Sequence, residues 1–183
     1  MQNKGTGTLE TDRLILRRFR LEDAEQMFKN WASDGRVTEF LTWPSHGDVE
    51  VTKAVVGSWV KNYSDMAYYN WVIELKSAKE IIGNISVIKL DEKIEAAEIG
   101  YCMGTNWWGQ SIMPEALKEV IAYLFDEVGL NRVEASHDSN NPKSGRVMEK
   151  AGMKQEGILR ETGLNRHGIY YDKVWYSILR NER

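Results

Sequence analysis

Cysteine occurs once in the 183 residues, at position 102, and histidine only three times. A lone thiol excludes a disulfide framework and suits a reducing compartment. His46, His137 and His167 are too scattered to propose a metal site. No apolar run approaches the roughly 18 residues that a membrane-spanning helix needs, and no signal peptide is visible, so a cytoplasmic protein with no membrane partner is expected. Internal repeats and low-complexity tracts are missing as well. No segment is dense in lysine and arginine interleaved with aromatics, and the formal net charge is −3, which argues against a nucleic-acid partner and suits a cationic substrate.

The apolar content, 42% with 10% aromatic, is enough for one good core, so one domain over residues 1–183 is the default, with a polar, frayed tail at 1–8. The stretch Glu98 to Ala116, EIGYCMGTNWWGQSIMPEA, reads as a buried strand, a tight loop and the start of a helix. A helix N-terminus leaves backbone N–H groups unpaired and carries the positive end of the helix dipole, so a loop wrapping into it can hold phosphates without basic side chains. Here that loop is Trp107 to Met113. Pro114 suits the first turn, Glu115 suits the dipole, and Ser111 stands near the cap. The helix continues through Leu117, Val120, Ile121, Leu124 and Phe125 and stops at Gly129. Neither a Walker-type loop closed by Gly-Lys-Ser/Thr nor a GxGxxG fingerprint is present.

Leu14, Leu16 and Phe19 read as a first strand, Leu21 to Trp31 as a helix ended by a break at Ser33 to Gly35, and Asp48 to Asn62 as a second helix. Strands are expected at Tyr69 to Leu75 and Ile81 to Leu90, where Gly83 marks a bulge or a close backbone approach. Further on, Arg132 to His137 reads as a strand, Lys143 to Ala151 as a helix stopped by Gly152, and Met153 to Leu159 as a strand. Arg160 to Gly168 reads as a polar loop and Tyr170 to Leu179 as the final strand.

The six positions Trp108, Gly109, Gln110, Ser111, Ile112 and Met113 resemble the acyl-CoA pyrophosphate loop of the GNAT N-acetyltransferases. They are nearest to the form found in the RimJ/RimL branch, the ribosomal-protein N-terminal acetyltransferases. Asn141-Pro142-Lys143-Ser144, followed by Val147 to Met153, resembles that family's NxxSxxVxEKxGF segment. The resemblance covers nearly the whole chain. It implies an α/β fold with a mostly antiparallel twisted sheet, splayed between the fourth and fifth of the strands just read, and about four helices. It also implies acetyl-CoA as cosubstrate, with Trp108 to Met113 and Asn141 contacting it, and no metal. Backbone N–H groups of Tyr101, Cys102 and Met103 would receive the pantetheine and the thioester oxygen. Ser111 departs from the family by standing in the usual glycine slot. A positive φ there strains the loop, and a negative one lets the hydroxyl cap the helix.

Acetyl transfer to an amine needs a neutral nucleophile, a polarised carbonyl and a proton for the departing thiolate. Glu98 is the first candidate for the base, against the plainer reading of a carboxylate that orders its strand or pairs with an arginine. Ser144 matches the serine thought to protonate the thiolate in the RimL-like branch, although a serine in a first helical turn also caps backbone N–H groups. Many GNAT enzymes carry a tyrosine on this helix, and Asn141 to Gly152 has none. Glu161 is a near match to a glutamate in the loop before the last strand. A covalent acetyl-Cys102 is rejected, since a lone cysteine in an apolar strand is ordinarily a small core residue. The acceptor pocket is expected between the loops Trp43 to Gly47 and Arg160 to Gly168, with Trp43 as an apolar wall. A protein N-terminal amine leads as acceptor, ahead of a small amine such as a polyamine, amino acid or aminoglycoside. A non-catalytic acyl-CoA-binding module is the alternative from another class, and monomer and homodimer both stay open.

Overall fold

The computed structural model describes residues 1–183. Its strands are β1 (Leu9–Glu10), β2 (Leu14–Arg17), β3 (Asn70–Leu75), β4 (Glu80–Asp91), β5 (Ala96–Met103), β6 (Arg132–Asp138), β7 (Lys154–Leu164) and β8 (Tyr170–Leu179). The helices are α1 (Asp23–Met27), α2 (Gly35–Thr38), α3 (Val49–Asn62), α4 (Ile112–Tyr123) and α5 (Pro142–Lys150), with π-helical turns continuing α1 through Ala32 and α4 through Val128. The eight strands make one sheet in the order β1-β2-β3-β4-β5-β6-β8-β7. Every neighbouring pair is antiparallel except β5 with β6. No helix is long and apolar enough to cross a membrane.

Strand alternation sends apolar side chains to both faces, and helices cover them unequally. On one face α4 and α5 close a core of 28 buried residues that includes Leu14, Trp71, Ile85, Ile99 and Phe125. On the other, α1 and α3 close a core of only 10, among them Phe19, Trp31, Val56 and Val72. That smaller core ends at Cys102, so the same face of β6, β8 and β7 carries no covering helix. That half of the sheet is left open on this face.

Two expectations are corrected. Residues 1–8 are not frayed: Thr6 is 2% exposed, its hydroxyl donates to the Tyr68 carbonyl, and Trp71 Nε1 donates to the Gly7 carbonyl. A polar tail held by hydrogen bonds leaves no hydrophobic pattern to read. The loop expected over 160–168 is instead mostly strand, since pairing resumes at Gly163 opposite Tyr171 after a bulge, and only residues 165–169 turn. An exposed edge strand rich in polar residues looks like loop from its composition. The break expected at Ser33 to Gly35 is present, and beyond it a further short helix, α2, begins, capped by Asp34 accepting from the Arg36 amide at 2.9 Å.

Gly83 marks a close approach. A Cβ there would lie 2.4 Å from the Cys102 carbonyl oxygen and 2.9 Å from the Met103 Cα. Both atoms are backbone and cannot swing aside, so Gly83→Ala should part β4 from β5. The expected cost is about 3 kcal/mol, read as a melting temperature lower by roughly 6–12 °C.

Candidate active site

β5 and β6 are hydrogen-bond partners only from Ala96 and Arg132 to Glu98 and Glu134. Beyond that point the two strands part, β5 continuing to Met103 on β4 and β6 to Asp138 on β8, and a wedge opens between them. Gly104 N–H donates to the Ile82 carbonyl across the β4–β5 ladder. In an antiparallel ladder the bonded residues recur at every second position, so Cys102, paired with Asn84, turns its amide toward β4. Tyr101 and Met103 turn theirs into the wedge. The expected donor set therefore narrows: Tyr101 and Met103 can offer backbone N–H groups there, and Cys102 cannot. The Cys102 thiol donates to Asn84 Oδ1 at 3.0 Å, and burial pushes its pKa up to about 12, which leaves it no thiolate character near neutrality.

The chain leaves β5 through a single 3₁₀ turn and enters α4 with Gly109 at φ 76° and Ser111 at φ 55°. Ser111 thus takes the strained alternative, and its hydroxyl makes no cap. The amide of Trp108 is taken by the Thr105 carbonyl, but the amides of Gly109 through Met113 donate to no group of the chain. Ile112 and Met113 bury their side chains and offer only backbone. The loop is pinned from both sides: Trp108 Nε1 donates to the Met103 carbonyl at 2.8 Å, and Arg13 donates to the carbonyls of Gln110 and Ser111. Arg13 also binds Glu115, whose carboxyl burial would raise, but which hydrogen bonds from Thr11 and Arg13 hold below its ordinary value. What results is a rigid cradle of unpaired N–H groups at a helix N-terminus, open to an anion.

The chain matches the family described as acetyltransferase (GNAT) domain over residues 13–154. This chain belongs to the GNAT family. It is 33% identical over 172 residues to the N-acetyltransferase YoaA of Bacillus subtilis, itself uncharacterized, covering 94% of this chain and 96% of YoaA. It is 26% identical over 158 residues to the ribosomal protein uS5-alanine N-acetyltransferase of Escherichia coli, covering 84% and 81%. The crystal structure of a GNAT acetyltransferase from Bacillus anthracis superposes with a TM-score of 0.84 at 26% identity, over 96% of this chain and 99% of that one. The fold is the mixed α/β GNAT fold, and the protein is an acetyl-CoA-dependent acyltransferase. The cradle and the wedge fit that cosubstrate: one offers N–H groups for a pyrophosphate and the other offers them for an extended arm.

Within this GNAT frame, Glu98 stands at the apex of the wedge, beside Glu134. Burial raises its carboxyl above the ordinary value and Glu134 adds to the rise, while Lys173, Lys89 and the Ser136 hydroxyl pull it back. Ser144 lies in the first turn of α5, with Tyr101 Oη 2.9 Å from its Oγ. Asn141 precedes α5 and leaves its side chain without a cap bond, free to meet a ligand. Glu98 and Tyr101, three residues apart on β5, turn to opposite faces of the sheet, so Glu98 opens to the bare face while Ser144 stands with Tyr101 on the α5 face.

The other two expected residues are not drawn in the same way. Trp43 packs half-buried on the smaller core, its ring 5.2 Å from that of His46. Glu161 sits in the β7 bulge at φ 53°, and its amide donates to Asp172 Oδ1 at 2.9 Å. Glu161 therefore lies on the edge strand β7, three strands away from the β5 that carries Glu98.

Three contacts around the loop and the bare face escaped the sequence reading. Lys143 places its ammonium 5.0 Å from the Trp108 ring centroid, and Lys150 reaches Ser111 Oγ at 3.4 Å. Seven residues apart, they share one helical face, and that spacing was legible. Arg166 reaches from the β7–β8 turn to the carbonyl and hydroxyl of Thr38 in α2, both at 3.3 Å, and nothing local in the sequence announces it.

Proposed function

We propose that this acyltransferase acetylates a protein N-terminal amine, entering over the bare face of β6 and β8 and meeting the thioester in the β5–β6 wedge. The observation that carries the reading is the wedge itself, with Glu98 at its apex, Ser144 at its α5 side and the cradle of free amides beyond it. The relative named for uS5-alanine acetylation supports the choice of a chain end as acceptor. Acetyl-CoA, when bound, supplies the acetyl thioester. Gly109 to Met113 hold its pyrophosphate, with Lys143, Lys150 and Asn141 contacting it. The amides of Tyr101 and Met103 orient the pantetheine and polarise the thioester carbonyl. Glu98, as carboxylate, takes a proton from the acceptor ammonium, directly or through one water. Ser144 Oγ–H faces the departing sulfur.

The test is thiol release from acetyl-CoA with a panel of alanine-initiated peptides against spermidine and free amino acids. Turnover of the peptides alone supports the reading. Turnover confined to the small amines overturns the choice of acceptor, and thiol release with none of them overturns acceptor acetylation altogether.

The contact between Arg166 and Thr38 closes the outer end of the acceptor approach. Arg166→Ala should therefore raise the acceptor KM by about three- to tenfold, the loss of one charge-assisted hydrogen bond, with the KM for acetyl-CoA unchanged. Initial rates with each substrate varied in turn would show it.

A further inference from the structure

Tyr101 crosses the wedge from β5 to α5, and its Oη lies 2.9 Å from both the Oγ and the carbonyl oxygen of Ser144. The proton count in this cluster decides what each atom can do. The carbonyl can only accept, the phenol has one proton, and the serine hydroxyl has one. With the phenol donating to the carbonyl, its lone pairs take the Ser144 Oγ–H and turn that proton away from the wedge. With the phenol donating to Oγ, the serine proton is released toward the wedge, and the incoming hydrogen bond polarises Oγ–H into a better donor. In the second arrangement the carbonyl keeps the helical N–H four residues on, and the phenol oxygen must draw off from it, because two oxygens with no proton between them repel.

We propose that Tyr101 is a positioning residue for acyl transfer, its phenol turning onto Ser144 Oγ as negative charge develops on the departing sulfur. The proposal rests on the reading that Ser144 faces that sulfur. Glu98 having taken the ammonium proton before attack, the neutral amine forms the new N–C bond as the C–S bond breaks; the electron pair leaves with sulfur, Ser144 Oγ–H stabilises it by a hydrogen bond, and the second proton shed by the nitrogen passes to the departing thiolate through water. No proton leaves Tyr101. Its burial suits the role, holding the phenol well above its ordinary pKa and so protonated throughout the working range. The chain has no tyrosine on α5, and here the adjoining strand delivers one to the same turn.

Tyr101→Phe keeps the ring that packs on the main core and removes only the hydroxyl. Steady-state kinetics with the best acceptor of the panel, or hydrolysis of acetyl-CoA where none turns over, should show kcat lower by about tenfold, as expected for one hydrogen bond strengthened in the transition state. The KM for acetyl-CoA should stay within about twofold. Added to Ser144→Ala, the substitution should cause no further loss, because the phenol acts only through that hydroxyl. An unchanged kcat for Tyr101→Phe beside an impaired Ser144→Ala overturns the inference and leaves Ser144 in place. Two unaffected variants overturn the reading of Ser144 itself. An additive double loss, or a fall in CoA affinity or melting temperature in place of kcat, assigns Tyr101 a separate or structural role and overturns it equally.

Discussion

Replacing Glu98 with glutamine should lower kcat by about a hundredfold to ten-thousandfold near pH 7, the usual worth of a general base, and the loss should shrink toward pH 9, where more of the acceptor amine is already neutral. The same variant should be at least as stable as the parent. Burial raises the Glu98 carboxyl in the folded state above its unfolded value, so its stabilising contribution is present below the unfolded pKa and is lost as pH rises through the folded one. Glutamine copies the neutral form and escapes that loss. A pH–rate profile and a pair of thermal melts at pH 4 and pH 7 separate these effects. Unaltered pH dependence in the variant would make Glu98 a structural carboxylate, and the base would then be sought in Glu161 or an ordered water.

The second large effect lies at Ser111, where two substitutions should separate charge from backbone geometry. Ser111→Glu sets a carboxylate at the mouth of the free amides of Gly109 to Met113, and like charges brought together cost several kcal/mol. CoA affinity by calorimetry should fall at least a hundredfold. Ser111→Gly relieves a side chain held at φ 55°. A left-handed residue other than glycine costs about 1 kcal/mol, so the melting temperature should rise by about 2–4 °C with CoA affinity kept. A Ser111→Glu variant that binds CoA normally would mean that the pyrophosphate does not lie on this loop. Retained affinity in the glycine variant matters as much, because it separates backbone geometry from the hydroxyl, whose one neighbour is Lys150.

Much of this enzyme was written locally. The cradle follows from a strand, Gly109, Pro114 and an amphipathic run, each of which acts on its own few residues, so loop and helix could be read before any packing was known. Glu98 and Ser144 were legible because each belongs to a motif with fixed spacing from that loop. Gly83 announced its close approach for the same reason, since the absence of a Cβ is a local fact.

Other features depend on which strands become neighbours, and no local pattern carries that. The parallel pairing of β5 with β6 breaks off at Glu98 and Glu134, and only this sheet order converts Tyr101 from a strand residue into the partner of Ser144. The direction of the Cys102 amide is set by its register with Asn84, and a shift of one residue would have reversed it. The tail at 1–8, the β7 bulge and the reach of Arg166 to Thr38 are held by polar contacts between segments far apart in the chain. Hydrogen bonds of that kind leave no periodicity, because any polar residue can make them once the fold has brought a partner within reach. Thus the chain's own pattern specified the anion cradle and the candidates for proton transfer, while the packing of β5, β6 and α5 decided how those groups face one another.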